Sequence, residues 1–163
     1  MGHNGRPGEG RRRYEELIDQ GVEAISRSSG RVGLVLGAEA CAFYEDEVHA
    51  GAIAAALARY TGQVLMVGWQ DCRGPIDLYL GMVRATEARL DDAIALLDGA
   101  LTCSRYIESP RWVARTSYEL ARVLRRRRRD GDVERALDLV AEALPVAEAL
   151  DLRATATMLA TLA

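Results

Sequence analysis

Residues 91–101, "DDAIALLDGAL", decide how this chain is read, because the same apolar pattern stands 43 residues earlier in "VHAGAIAAALA" (48–58) and 43 residues later in "ERALDLVAEAL" (134–144). In that register Ala50 matches Ala93 and Ala136, and Ile53 matches Leu96 and Leu139. Ala54, Leu97 and Val140 follow, then Leu57, Ala100 and Ala143, and last Ala58, Leu101 and Leu144. Every residue at these five positions is apolar, at the three- and four-residue spacing of a helix face. A helical pattern recurring at a period between about 20 and 50 residues marks a repeat architecture, in which each unit buries its apolar face by stacking on its neighbours.

Working outward, each of the three segments gains a start signal and a partner. Asp46, Asp91 and Asp132 precede them as caps, since an aspartate side chain accepts hydrogen bonds from the first free N–H groups of a helix. Upstream of the middle segment, Gly74-Pro75 starts a helix running to about Ala88; Ser109-Pro110 repeats the signal before a helix carrying Trp112, Tyr118, Leu120 and Leu124. Residues 32–44 supply the corresponding helix of the first hairpin, and Gly62 closes it. A first amphipathic helix over 14–27 presents Leu17, Ile18, Val22 and Ile25 and ends at Gly30. At the other end Pro145 should kink or split the third segment, and residues 152–162 form a final helix. Residues 63–74 break the pattern. Val64 to Val67 is apolar and β-branched enough for a strand, but an isolated strand has no partner for its backbone, so a packed connector is expected, with an extended segment lying on the helices as the alternative.

Composition agrees with an all-α fold. Hydrophobic residues make up 49% of the 163, enough for a core, while aromatics are only 6%, which suits close helix-on-helix packing. All 21 basic residues are arginine, and with 24 acidic residues the formal charge is −3, against the basic excess of a dedicated nucleic-acid binder. Without lysine there is no Schiff-base nucleophile and no standard P-loop. Cys41, Cys72 and Cys103, with His3 and His49 the only histidines, offer no zinc-ligand spacing and are expected as small core residues in a reducing, cytoplasmic setting. "MGHNGRPGEGRRR" has no apolar run, so neither a signal peptide nor a membrane span is expected; residues 1–12 read as a disordered tail and 13–163 as the helical-repeat domain.

Leu80-Gly81, followed by Ala93, Leu97 and Ala100, resembles the tetratricopeptide repeat, in which small residues let two antiparallel helices approach. Leu36-Gly37 and Leu120-Ala121 occupy the matching places of the other units. The period of 43 departs from the family's 34, so these are degenerate hairpins. The resemblance implies a tetratricopeptide-like α-solenoid of about three helical hairpins with flanking helices. Over residues 41–151, "GPIDLYLG", "WVARTSYELARVL" and "RRRDGDVERALDLVAEAL" resemble the C-terminal helical-repeat region of large bacterial signalling ATPases, including adenylate or guanylate cyclase fusions and LuxR-type regulators. That implies a noncatalytic interaction or regulatory scaffold in bacterial signalling or transcription control. The alternative is the C-terminal fragment of an ATP-binding signalling enzyme or cyclase whose catalytic modules lie elsewhere.

The first helix of each hairpin lines the concave face in that family. Carried over from Leu120-Ala121, the face holds Arg115, Tyr118, Arg122 and Arg125; from Leu80-Gly81 it holds Leu78, Met82 and Ala85. The ligand site is therefore expected at Met82, Arg115, Tyr118 and Arg122, with the arginines selecting a negative group unless Glu119 or Glu142 neutralises them. Arg125 to Arg129 spread over five directions around a helix and read as a solvated C-terminus favoured by the helix dipole. Glu45, Asp46 and Glu47 read as helix-start acids rather than metal ligands. No nucleophile–base pair is visible, so no catalytic residue, metal or cofactor is expected. The expected partner is a protein or peptide, or an attached signalling module.

Overall fold

Helix punctuation in the sequence sets most of the element boundaries in the computed structural model, which describes residues 7–69 and 71–163. The order is α1 (Pro7–Ile18), α2 (Val22–Tyr44), α3 (Glu47–Ala58), β1 (Val64–Val67), β2 (Asp71–Pro75), α4 (Ile76–Thr86), α5 (Leu90–Tyr106), α6 (Pro110–Arg127), α7 (Asp132–Ala149) and α8 (Arg153–Ala160). The chain is mostly helical, and none of these helices is long and apolar enough to cross a membrane. Helices adjacent in sequence pack together from α2 and α3 through to α7 and α8, the hairpin between α3 and α4 notwithstanding, and α2 also packs on α4.

The repeated positions form the core. Ala50, Ala93 and Ala136 are completely buried, as are Ala54, Leu97, Leu57 and Ala100. Only Ala58 is exposed, while Leu96 and Leu144 are half-buried. Close approach is sharpest at Gly81, where an added Cβ would stand 2.7 Å from Leu97 Cγ and 3.3 Å from the Ala93 carbonyl. The absent side chain is what lets α4 seat on α5.

Several expectations need correction. The helix expected over 14–27 is broken: α1 ends at Ile18 and α2 starts after Gly21, whose φ of 88° only glycine adopts without strain. Gly30, expected as a terminus, is instead a non-helical point inside α2. Residues 7–12 of the expected tail belong to α1; residues 1–6 lie outside the described residues. Pro145 does not split α7. Ala141, whose carbonyl a proline leaves without its donor, is exposed, so water can take that bond.

The connector over 63–74 is a β-hairpin. The partner strand missing from the sequence argument is β2 from the same segment, paired antiparallel so that Val64 faces Pro75, Leu65 faces Gly74, Met66 faces Cys72 and Val67 faces Asp71. The register skips at Leu65/Met66, leaving Arg73 as the extra residue of a bulge. Trp112 Nε1 donates to the Cys72 carbonyl at 3.2 Å and Tyr79 donates to the Arg73 carbonyl, so the hairpin is pinned to α6 and α4.

The arginine run does end α6, with Arg126, Arg128 and Arg129 exposed, but it is more than a solvated terminus. Arg126 donates to the Ala85 carbonyl at 2.7 Å, Arg125 to the Leu162 carbonyl, and Arg127 to both Asp132 and Asp91. Asp91 does not cap α5, whose N-cap is Arg89; it accepts from Arg127 and Arg129 instead. Asp132 is the first residue of α7 rather than its cap, and its carboxylate takes the Arg129 N–H at 2.8 Å. Arg127 holds the Asp132 carboxyl down at about 2. The run thus ties the end of α6 to α4, α5, α7 and the residues after α8.

Candidate functional site

A cleft of about 550 Å³ opens between α2 and α6, and Met82, Arg115, Tyr118 and Arg122 all line it. The sequence brings three of them together locally, since positions i, i+3 and i+7 share a helix face, and α6 is held in place by its buried residues, among them Trp112, Ala114, Leu120, Ala121 and Leu124. Met82 reaches the cleft floor from α4 and Met158 from α8. Arg125 is drawn away to the Leu162 carbonyl, and Leu78 and Ala85 are buried in the core, so these three do not belong to the lining.

Glu119 governs the α6 wall. It is only 3% exposed and lies between the two arginines: Arg115 Nη2 stands 3.1 Å from one carboxylate oxygen, while Arg122 donates to the other from Nε at 3.0 Å and from Nη2 at 2.8 Å. A carboxylate so buried is tolerated because it is doubly paired. Burial opposes the Arg122 charge, but Glu119 outweighs it and holds the guanidinium above its ordinary pKa. Arg115 also lies over the Tyr118 ring at 5.9 Å and approaches Met158 Sδ at 3.7 Å. Burial pushes the Tyr118 phenol up.

The opposite wall is one face of α2, carrying Leu36, Glu39, Ala40 and Phe43 at helical spacing. Leu36 is 47% exposed and Phe43 is 79% exposed. Glu39 is half-buried and has no hydrogen bond or ion pair among the described residues. Burial raises its pKa, against the pull of Arg115 and Arg73. The sequence reading missed this wall, although its signal was present: large apolar residues and a carboxylate on one face of a helix whose other face, Leu34, Val35, Ala38 and Cys41, fills the core.

The remaining candidates are structural. Asp46 caps α3, accepting from the Val48 and His49 N–H groups at 3.1 Å, and also receives the Tyr14 hydroxyl at 2.8 Å, with His49 Nδ1 at 2.7 Å. Burial disfavours its charge, yet the hydrogen bonds from His49 and Tyr14 keep its pKa below the usual carboxylate range. No group of three or more His, Cys, Asp or Glu among the described residues could hold a metal ion. Cys41 is buried and donates to the Asp46 carbonyl; Cys72 and Cys103 are half-buried thiols.

No family model, curated protein or solved structure matches the chain.

Proposed function

We propose that the chain is a noncatalytic interaction module, a tetratricopeptide-like stack of the hairpins α2–α3, α4–α5 and α6–α7 flanked by α1 and α8, and that the cleft receives a protein or peptide partner. One observation carries this reading: the cleft is lined from α2, α4, α6 and α8, the first helix of each hairpin and the helix that follows the last. That is the face a stack of such hairpins turns inward. Its lining combines exposed apolar side chains with a few fixed polar groups, the composition of a recognition surface. A place in bacterial signalling or transcription control, with an attached signalling module as one form the partner takes, rests on the resemblance carried by "GPIDLYLG" and "WVARTSYELARVL".

Panning a random peptide library on the purified chain tests the proposal. Enriched peptides should lose binding on Tyr118→Ala and Phe43→Ser and keep it on Val48→Ser, a substitution at an exposed residue of α3 outside the cleft. Enrichment of peptides indifferent to the cleft substitutions, or no enrichment, would overturn it.

A further inference from the structure

Resting on the cleft reading above, we infer that the occupant is a peptide segment of another protein carrying a lysine or arginine beside large apolar side chains, the cation meeting Glu39. The two arginines suggest the opposite, an acidic ligand, but both are already paired with Glu119. Glu119 faces both guanidiniums from a position 3% exposed, so an incoming carboxylate would have to share them with a buried partner that repels it and has no solvent to retreat into. An incoming cation displaces no hydrogen bond or ion pair at Glu39, which Arg115 and Arg73 attract only from beyond bonding distance. Two arginines and two glutamates leave the lining formally neutral, and the one charge in it without a counter-charge at bonding distance is negative.

Apolar complementarity follows the same face. Leu36 and Phe43 lie three residues before and four after Glu39 on α2, one helical turn to each side, so a cation on Glu39 would have apolar ground above and below it. Met82 and Met158 supply a soft floor that adapts to the shape of an inserted side chain. A charge-assisted hydrogen bond in this half-buried setting adds selectivity to apolar contact.

The test uses two probes of one scaffold and opposite charge, 4-phenylbutylamine and 4-phenylbutyrate, titrated into the full chain with carbon-13-labelled methionine methyls. Met82 and Met158 report on the cleft; Met66, exposed in the β-hairpin and outside the lining, is the internal control. The amine should shift the Met82 and Met158 methyls selectively and bind about fivefold tighter than the carboxylate. E39Q, which leaves the lining with one net positive charge, should bring that ratio to about one or below, and E39D, which keeps the charge, should preserve a preference for the amine. Equal affinities in the unsubstituted chain, a preference for the carboxylate, or a ratio unmoved by E39Q would overturn the inference while leaving the cleft as a binding site. If neither probe shifts the cleft methyls, both the inference and the proposed function fall. Concentration-dependent shifts of the same methyls without any probe would make a second copy of the chain the occupant and would equally overturn it.

Discussion

The two walls of the cleft each carry a glutamate, and the two differ in almost everything else. Glu119 on α6 is buried and takes three hydrogen bonds or close ion-pair contacts from two arginines. Glu39 on α2 is half-buried with no hydrogen bond or ion pair among the described residues, between the exposed Leu36 and Phe43. One wall has its polar groups satisfied internally and behaves as framework, while the other has an unmet polar group and uncovered apolar surface. The physical lesson is that charge type alone does not locate a recognition group. What matters is whether folding has already used the charge.

The strongest way to break this comparison is to remove each carboxylate in turn. Glu119→Gln leaves two guanidiniums without their counter-ion in a mostly dry wall and should cost about 2–3 kcal/mol in urea unfolding, less than a fully buried pair would because both arginines reach solvent. Glu39→Gln should stay within about 0.5 kcal/mol of the parent or stabilise slightly, since it removes a charge that burial disfavours. Similar losses for the two would show that Glu39 is also framework.

Next in size is packing behind the walls. Ala93 is fully buried where α5 meets α4, and its carbonyl lies 3.3 Å from the position a Gly81 Cβ would take. Ala93→Leu should therefore cost about 1–3 kcal/mol by overpacking, whereas Phe43→Ser on the exposed α2 face should stay within about 0.5 kcal/mol and act on binding instead. Thermal melts of the two proteins check the contrast. A large loss for Phe43→Ser would mean that the α2 wall is held by its own apolar face.

Acid separates the charges by sign. Asp132 is held at about 2 by Arg127, so its contribution to stability is complete above the ordinary aspartate pKa of about 4 and is lost as pH falls towards 2. Arg127→Ala should flatten the melting curve's dependence on pH in that window. Glu39 runs the other way. Its raised pKa means that the folded state holds the proton more tightly than the unfolded chain, so stability falls as pH rises from the unfolded value through the folded one. Glu39→Gln should remove that decline while leaving the Asp132 window intact.

The framework was far more legible in the sequence than the unmet wall. Ala50, Ala93 and Ala136 announced the buried faces because helical periodicity is local, and Asp46 announced its cap for the same reason. The α6 face was legible too, since Arg115, Tyr118 and Arg122 sit on one helix. Pairings between elements distant in sequence were not. Asp91 looked like a cap until Arg127 and Arg129, brought to it by the packing of α6 on α5, took its carboxylate. The β-hairpin was missed because each strand is satisfied only by the other. Glu39 looked like any solvated glutamate, and only the packing of α2 against α4 and beside α6 makes it a cleft residue.

The smallest expected effect tests whether framework and site can be separated. The links between helices repeatedly pass through a left-handed residue that is not glycine: Glu45, Ala88, Glu108, Arg128 and Asp151 all have φ between 50° and 58°. A side chain is strained there, and Ala88, exposed between α4 and α5, has no polar group with which to compensate. Ala88→Gly should raise stability by about 0.5–1 kcal/mol, because glycine adopts this helix-ending conformation freely and the relief outweighs the extra entropy of the unfolded chain. The residue stands outside the cleft, so the affinity for 4-phenylbutylamine should not change. A gain in stability accompanied by weaker probe binding would show that the α4–α5 link adjusts the cleft floor at Met82, and that the two walls are coupled through the hairpin between them.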